Sequence, residues 1–193
     1  MFDLLDKEVE EKFRSSHHPD EKYLKLKLRV IRDWPKKGVN FIDITTLLKD
    51  PEAFRRVIDI LADHFSSKSV DVLVGIEARG LMIGAPVAYK LGVGFVPARK
   101  VGKLPHRTLS MEYTLEYSSA YLEMHRDGVR KGQRVGIIDD LLATGGTAAA
   151  TAKLVEKLGG EVVDLSFLVE LDFLKGRRKL GKYNVFSLVH YEK

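Results

Sequence analysis

Two adjacent carboxylates and a short run of small residues have the clearest chemical potential in this sequence. Asp139 and Asp140 end an apolar stretch, and the small residues that follow shortly after are Ala143, Thr144, Gly145, Gly146 and Thr147. Glycine lets backbone amides turn toward a ligand, threonine adds hydroxyl donors, and a helix beginning here adds unpaired N–H groups with partial positive charge. This combination predicts a cradle for one phosphate group.

The two carboxylates need partners other than phosphate, because like charges repel. Hydroxyl groups or a metal ion are the simplest such partners. A ribose 5-phosphate satisfies both requirements, since its phosphate would lie against residues 143–147 while its 2- and 3-hydroxyls donate to Asp139 and Asp140. The alternative interpretation is a tight turn with an acidic start to the next helix.

Other phosphate and metal motifs do not occur in the sequence. Gly102-Lys103 lacks the upstream glycine of a P-loop, and Gly92-Val93-Gly94 lacks the third glycine of a dinucleotide fingerprint. The absence of cysteine excludes disulfides, thiolate metal sites and a cysteine nucleophile. Four histidines have no metal-ligand spacing and are predicted to have no chemical role: His64, His106, His125 and His190.

A second candidate region is the basic segment that begins at Lys100. Residues 100–108 combine lysine, arginine and histidine with glycine and proline, and the predicted loop extends over residues 100–119. Loops of this length in compact domains are often lids or binding loops. The alternative is a hairpin whose lysines are simply solvated.

Alternating strands and helices are predicted from residue 70 onward. The apolar runs 70–76, 94–98, 134–138, 162–169 and 185–189 predict strands, and residues 81–91 and 148–158 predict helices. Asp50 is predicted to cap a further helix that begins at Pro51. This order predicts an α/β fold, a mostly parallel sheet with helices on both faces. The N-terminal third is predicted to be helical.

Length and charge limit the class of protein. The chain has 193 residues, which predicts a single domain, and its net charge of +5 is compatible with nucleic acid, a small polyanion or a solvated surface as partner. The charged N-terminus does not match a signal peptide, and no apolar run has the roughly 18 residues of a membrane span. We therefore expect an intracellular, cytoplasmic protein without membrane association.

The chain resembles the type I phosphoribosyltransferases, and within that family the members that act on adenine. The resemblance covers roughly residues 34–190 and depends on six segments: residues 38–44, 77–80, 99–105, 115–117, 166–171 and, most strongly, 137–147. It implies transfer of the 5-phosphoribosyl group from phosphoribosyl pyrophosphate to adenine, with magnesium, to give AMP and pyrophosphate. It also implies a homodimer, with a small N-terminal hood and a flexible catalytic loop.

The resemblance assigns roles to individual residues. Residues 143–147 would hold the 5-phosphate, and Asp139 and Asp140 would bind the ribose, directly or through magnesium or water, with no dedicated metal ligands. The residues implied at the pyrophosphate are Arg79, Arg99, Lys100 and Lys103, of which Arg79 is also implied in catalysis, and Glu116 is implied as the acid/base group beside the purine.

The adenine site is implied to involve Phe41, Ile42 and Leu141. The family commonly has an arginine where this chain has Ile42, but that position contacts adenine mainly through its backbone, so the resemblance implies that recognition survives. Residues 1–33 lie outside the resemblance and are predicted to form a helical extension without a chemical role. The resemblance implies that residues 34–50 form the hood and residues 100–119 the catalytic loop, all within one domain of residues 1–193.

Two alternatives remain open at the level of sequence. One is a phosphoribosyltransferase for another purine. The other is a non-enzymatic regulator that senses phosphoribosyl pyrophosphate and binds nucleic acid through a basic face. The presence of Glu116 and of the catalytic-loop lysines favours an enzyme without a stable nucleic-acid partner, because a pure sensor needs neither.

Overall fold

A seven-stranded sheet forms the centre of the computed structural model, which describes residues 18–114 and 119–192. The strands are β1 (Arg29–Ile31), β2 (Phe41–Asp43), β3 (Val72–Ile76), β4 (Gly94–Lys100), β5 (Thr108–Thr114), β6 (Ser119–His125), β7 (Arg134–Leu142), β8 (Glu161–Leu171) and β9 (Val185–Tyr191). The helices are α1 (Glu21–Lys27), α2 (Thr45–Leu48), α3 (Pro51–Ser66), α4 (Arg79–Leu91) and α5 (Gly146–Leu158), and two 3₁₀ turns, Asp172–Leu174 and Gly176–Leu180, follow β8.

The strand order in the main sheet is β5-β6-β4-β3-β7-β8-β9. Five adjacent strands are parallel: β4, β3, β7, β8 and β9. The β5/β6 hairpin adds two antiparallel strands beside β4. Two buried apolar clusters cover the sheet, one containing α3 and α4 and the other containing α5 and the hairpin. The predicted α/β class with helices on both faces is confirmed.

The N-terminal segment departs from the helical prediction. Helix α1 ends at Lys27, and the next residues form β1, which pairs antiparallel with β2 in a separate two-stranded sheet. The Arg29 Nε atom donates to the Asp43 carboxylate at 3.0 Å across this pair. The Arg29 hydrogen bond, followed by those of Thr45, lowers the pKa of Asp43 to about 2. A long-range ion pair therefore stabilises a strand where the local sequence favours a helix.

The segment predicted as a loop over residues 100–119 is also more ordered than expected. Only residues 101–107 connect β4 to β5, and the hairpin that had been the alternative occupies residues 108–114 and 119–125. Its inward side chains Tyr113, Leu122 and Met124 are buried against the cluster that contains α5. Burial of this face explains why the chain forms a strand directly after the basic, glycine-containing connection.

Within the described residues, no helix is both long enough and apolar enough to cross a membrane.

Candidate active site

A cavity of about 130 Å³ lies where β7 ends and α5 begins. It is lined by Asp139, Leu141 and Leu142 from the strand and by residues 143–148 from the loop and helix start. Strands β4, β3 and β7 are parallel neighbours, so their carboxyl ends meet at this edge of the sheet. The structure therefore places residues 143–147, called the phosphate loop below, beside Asp139, as the sequence predicts.

The first turn of α5 has no side-chain cap. Gly145 is the N-cap residue, in the left-handed conformation with φ of 75°, and no side chain accepts from the helix amides. Helix α3 is different, because the Asp50 carboxylate accepts from the amides of Glu52 and Ala53 at 3.1 and 3.0 Å. The uncapped amides of α5 face an anion-sized cavity, and a phosphate would supply the missing acceptors.

Gly145 is in close backbone contact with Gly176, in the turn between β8 and β9. A Cβ atom on Gly145 would lie 2.5 Å from the Gly176 carbonyl oxygen, and one on Gly176 would lie 2.3 Å from the Ala143 carbonyl oxygen. Real Cβ atoms do not approach this closely. Gly176 therefore packs directly against the phosphate loop, although it is 31 positions away from Gly145 in the sequence.

Asp139 is the carboxylate of the pair that lines the cavity. Burial, followed by the charge of neighbouring Asp140, raises the pKa of Asp139 well above its usual range. Gly80, in the first turn of α4, leaves room for the carboxylate, because a Cβ atom there would lie 2.8 Å from the Asp139 Oδ1 atom. Burial and the Asp140 charge thus outweigh the Arg79 charge and the Asp140 amide, which lower the pKa, and a ligand that donates hydroxyl groups suits this carboxyl group.

Asp140 forms an ion pair with Arg79, through the Arg79 Nε atom and the Asp140 Oδ2 atom. The guanidinium of Arg79 also lies over the ring of Phe41, 5.2 Å from its centroid. Phe41 in turn contacts Trp34 edge to face, with centroids 4.6 Å apart. Residues implied separately at the ribose, the pyrophosphate and the adenine therefore lie in one continuous chain of contacts.

Arg99 already has an acidic partner in the structure. Its Nε and Nη2 atoms each donate to a Glu77 oxygen at 3.1 Å, and its Nη1 atom donates to the Lys103 carbonyl oxygen at 3.1 Å. The side chains of Lys100 and Lys103 are exposed. Arg99 thus connects the end of β4 to the segment that contains Lys103, and sequence reasoning missed the contribution of Glu77.

Glu123 is a second carboxylate that sequence reasoning missed. It lies on β6, only 4% exposed, and accepts from the amides of Lys103 and Leu104 at 3.0 Å each. Burial alone would raise its pKa, but the hydrogen bonds, the strongest from Leu104, lower the pKa below the usual glutamate range. Glu123 therefore fixes the backbone that presents Lys103.

Replacing Glu123 with leucine should release residues 101–107 from the hairpin. Trypsin should then cleave after Lys100 or Lys103 about tenfold faster, because losing hydrogen bonds to a charged acceptor lowers the local opening free energy by about 1.4 kcal/mol or more. Glu112→Gln is the matched control, since Glu112 is an exposed carboxylate on the adjacent strand. Equal cleavage rates in the two variants would contradict the anchoring role of Glu123.

The implied adenine residues are in different environments. Leu141 is half-buried and lines the cavity, whereas the side chain of Ile42 is 4% exposed and packs in the apolar cluster. The side chain of Ile42 is therefore not accessible to a ligand.

Glu116 lies outside the described residues. The nearest residue in the sequence whose side chain is described is Tyr113, which is buried on β5. Burial, followed by the charge of Asp139, raises the pKa of Tyr113.

One cluster in the described part of the chain has the geometry of a metal site, and its residues do not line the cavity. Ligand atoms of Glu170, Asp172 and His190 lie within 4.8 Å of one another, although their sequence spacing did not predict it. Arg177 donates from its Nε atom to both Glu170 oxygens at 2.8 and 2.9 Å. Because the Arg177 guanidinium already pairs with both Glu170 oxygens, this cluster is better described as an ion-pair network than as a metal centre.

Comparison with known proteins places this site in a family. A family model described as the phosphoribosyl transferase domain matches residues 43–191. The adenine phosphoribosyltransferase of Alkaliphilus metalliredigens is 60% identical over 168 residues, which cover 87% of this chain and 99% of that protein. The chain belongs to the adenine phosphoribosyltransferase family.

Solved structures of adenine phosphoribosyltransferases have the same fold. The crystal structure from Thermoanaerobacter pseudethanolicus has a TM-score of 0.86 and 55% identity, covering 88% of this chain and 99% of that one. The Saccharomyces cerevisiae enzyme has a TM-score of 0.82 and 41% identity, covering 87% and 97%. That enzyme was crystallised with an imino-altritol bisphosphate and adenine.

Proposed function

We propose that the chain transfers the 5-phosphoribosyl group of phosphoribosyl pyrophosphate to adenine, forming AMP and pyrophosphate in purine salvage. The observation that carries this proposal is the cavity in which Asp139 lies beside the uncapped start of α5. It offers donors for a phosphate and an acceptor for hydroxyls. The high identity to adenine phosphoribosyltransferases supports adenine as the base.

Each part of the substrate has a matching group of residues in this proposal. The loop of residues 143–147 binds the 5-phosphate, and Asp139 and Asp140 accept from the ribose hydroxyls. Arg79, Lys100 and Lys103 approach the pyrophosphate, and Arg99 orients the strand end through Glu77. Phe41, the backbone of Ile42 and Leu141 surround adenine.

The reaction exchanges one bond at the anomeric carbon for another. The bond to pyrophosphate breaks with its electron pair leaving on the pyrophosphate oxygen, and a purine nitrogen forms the new bond. The sugar passes through an oxocarbenium-like transition state, so positive groups aimed at the leaving oxygen stabilise it. Arg79 pairs with Asp140 and lies over the ring of Phe41, and these contacts orient its guanidinium for this purpose.

The purine must also lose a proton, and we assign Glu116 as the group that accepts it. Glu116 follows Tyr113 by three positions in the sequence. The similarity of the chain to adenine phosphoribosyltransferases supports this role. A positioned acid/base group of this kind contributes on the order of 10² to 10⁴ in rate.

The site residues fit a magnesium ion bound with the substrate. Asp139 offers hard carboxylate oxygens that line the cavity. Magnesium typically takes one or two carboxylates together with waters and substrate phosphates, so Asp139 would hold it directly or through water, with Asp140 next to it. When bound, the ion would neutralise negative charge on the pyrophosphate.

A turnover assay with four purines tests the proposal. Phosphoribosyl pyrophosphate and magnesium are supplied with adenine, hypoxanthine, guanine or xanthine, and product is resolved by chromatography. We expect AMP from adenine and no product from the others. Turnover of another purine would retain the sugar site and overturn the base assignment. Absence of turnover, with tight phosphoribosyl pyrophosphate binding and salt-sensitive nucleic-acid binding, would favour the regulator.

We also expect a homodimer and a cytoplasmic location. Support for self-association comes from α4, where Met82 and Tyr89 lie on one face and are 52% and 89% exposed. Sedimentation velocity should give about twice the monomer mass, and Tyr89→Glu should shift the distribution toward monomer. A wild-type chain that sediments as a monomer at micromolar concentration would contradict the dimer.

A further inference from the structure

The turn between β8 and β9 forms one wall of the phosphate loop. Its Gly176 lies against the backbone of Ala143 and Gly145 so closely that a Cβ atom fits on neither glycine. The loop can therefore keep its shape only while the turn stays in place. The residues that hold the turn are not in the cavity.

A buried ion pair holds this turn. Glu170, at the end of β8, is 3% exposed, and its two oxygens share the single N–H of the Arg177 Nε atom at 2.8 and 2.9 Å. The Arg177 Nη1 atom donates to the Val185 carbonyl oxygen at 2.9 Å, and the Ser187 hydroxyl donates to Glu170 at 2.6 Å. One guanidinium thus connects the turn to β8 and β9 together.

The position of the pair along the sheet places it beside the loop. Glu170 is the register partner of Leu142, the residue immediately before the phosphate loop. Arg177 follows Gly176 directly in the sequence. The ion pair therefore fixes the distance between the end of β7 and the backbone that supports Gly145.

We propose that Glu170 and Arg177 are positioning residues for the 5-phosphate. Neither lines the cavity; both act through Gly176, which sets the direction of the amides in residues 143–147. This inference rests on the proposed function, because it takes that loop as the phosphate site. An error of about 1 Å in a binding group is enough to weaken productive binding by a large factor.

The test measures the affinity of the free protein for three ligands by titration calorimetry: ribose 5-phosphate, pyrophosphate and adenine. Arg177→Lys keeps the charge but loses the planar fork that reaches Glu170 and Val185 at once. It should raise the ribose 5-phosphate Kd by about tenfold, and leave the other two Kd values within about twofold. Glu170→Gln is a milder second variant and should give a smaller change in the same direction.

Arg178→Lys is the matched control, since Arg178 is an exposed arginine in the same turn. It should leave all three affinities unchanged. If the melting temperature of Arg177→Lys falls while its ribose 5-phosphate Kd stays constant, the pair has a purely structural role and the inference is wrong. An equal rise of all three Kd values would likewise overturn the inference.

Thr147→Val, measured in the same series, separates this inference from the proposed function. If Thr147→Val weakens ribose 5-phosphate and Arg177→Lys does not, the positioning role fails and the phosphate site remains. If neither variant changes the ribose 5-phosphate Kd, the assignment of residues 143–147 itself fails.

Discussion

Gly145→Ala should lower kcat/KM for phosphoribosyl pyrophosphate by about a hundredfold or more. Two penalties combine at this position. Alanine in the left-handed conformation, which Gly145 adopts with φ of 75°, costs about 1–2 kcal/mol. In addition, the new Cβ atom would lie 2.5 Å from the Gly176 carbonyl oxygen, so the loop or the turn must move. Initial rates at varied substrate concentration measure the effect.

Gly132→Ala separates the two penalties. Gly132 has nearly the same conformation, with φ of 82°, but a Cβ atom there meets nothing within 4 Å. This control should lower the melting temperature and leave kcat/KM unchanged. Gly176→Ala approaches the same contact from the opposite side and should behave like Gly145→Ala. If Gly145→Ala and Gly132→Ala lose activity equally, the close backbone contact has no functional weight.

Asp139→Asn should make the protein more stable and less active. The structure raises the pKa of Asp139, first by burial and then by the charge of Asp140, so the ionised carboxylate is disfavoured in the folded state. A neutral asparagine avoids that cost. The same change removes a charged acceptor for the ribose hydroxyls, which is worth about 1.5–3 kcal/mol. We expect kcat/KM to fall by about ten- to a hundredfold.

The pH dependence fixes the sign of the stability effect. Below the unfolded-state pKa of about 4, Asp139 is protonated in both states and the variant has no advantage. As the pH rises toward the raised folded-state pKa, the wild type releases its proton more readily when unfolded and loses stability. Above the folded-state pKa the difference stays constant. Denaturant unfolding at several pH values measures it.

Asp127→Asn is the control for Asp139→Asn, because it removes an equal charge from an exposed position. It should change neither activity nor the pH profile. If the stability difference between Asp139→Asn and the wild type does not grow as the pH rises, Asp139 is not destabilised by burial in the cleft.

The parts of the site that were predictable from sequence have local signals. An apolar strand followed by two carboxylates, small residues and a helix indicates a phosphate loop within one short window, and the structure places Asp139 and residues 143–147 around one cavity. The Asp50 cap of α3 is another local pattern, and it is confirmed. Neither depends on which distant segments fold against it.

The parts that were not predictable depend on long-range partners. Glu123 anchors Lys103 from another strand, and Arg177 acts through a glycine that touches a loop far away in the sequence. Strand β1 forms because it pairs with β2, against its helical pattern. One weak signal existed for the ion pair, since Glu170 directly follows the apolar residues 167–169 in β8 and a buried charge needs a partner.

The uncapped first turn of α5 makes the stability of the folded chain depend on the anions in its buffer. An oxyanion that binds those amides binds the native state only, and it adds RT ln(1 + [L]/Kd) to the unfolding free energy. At a hundred times its Kd, inorganic phosphate would contribute about 2.7 kcal/mol. Melting curves recorded in phosphate would therefore overstate the stability of the wild type relative to any variant that distorts the loop.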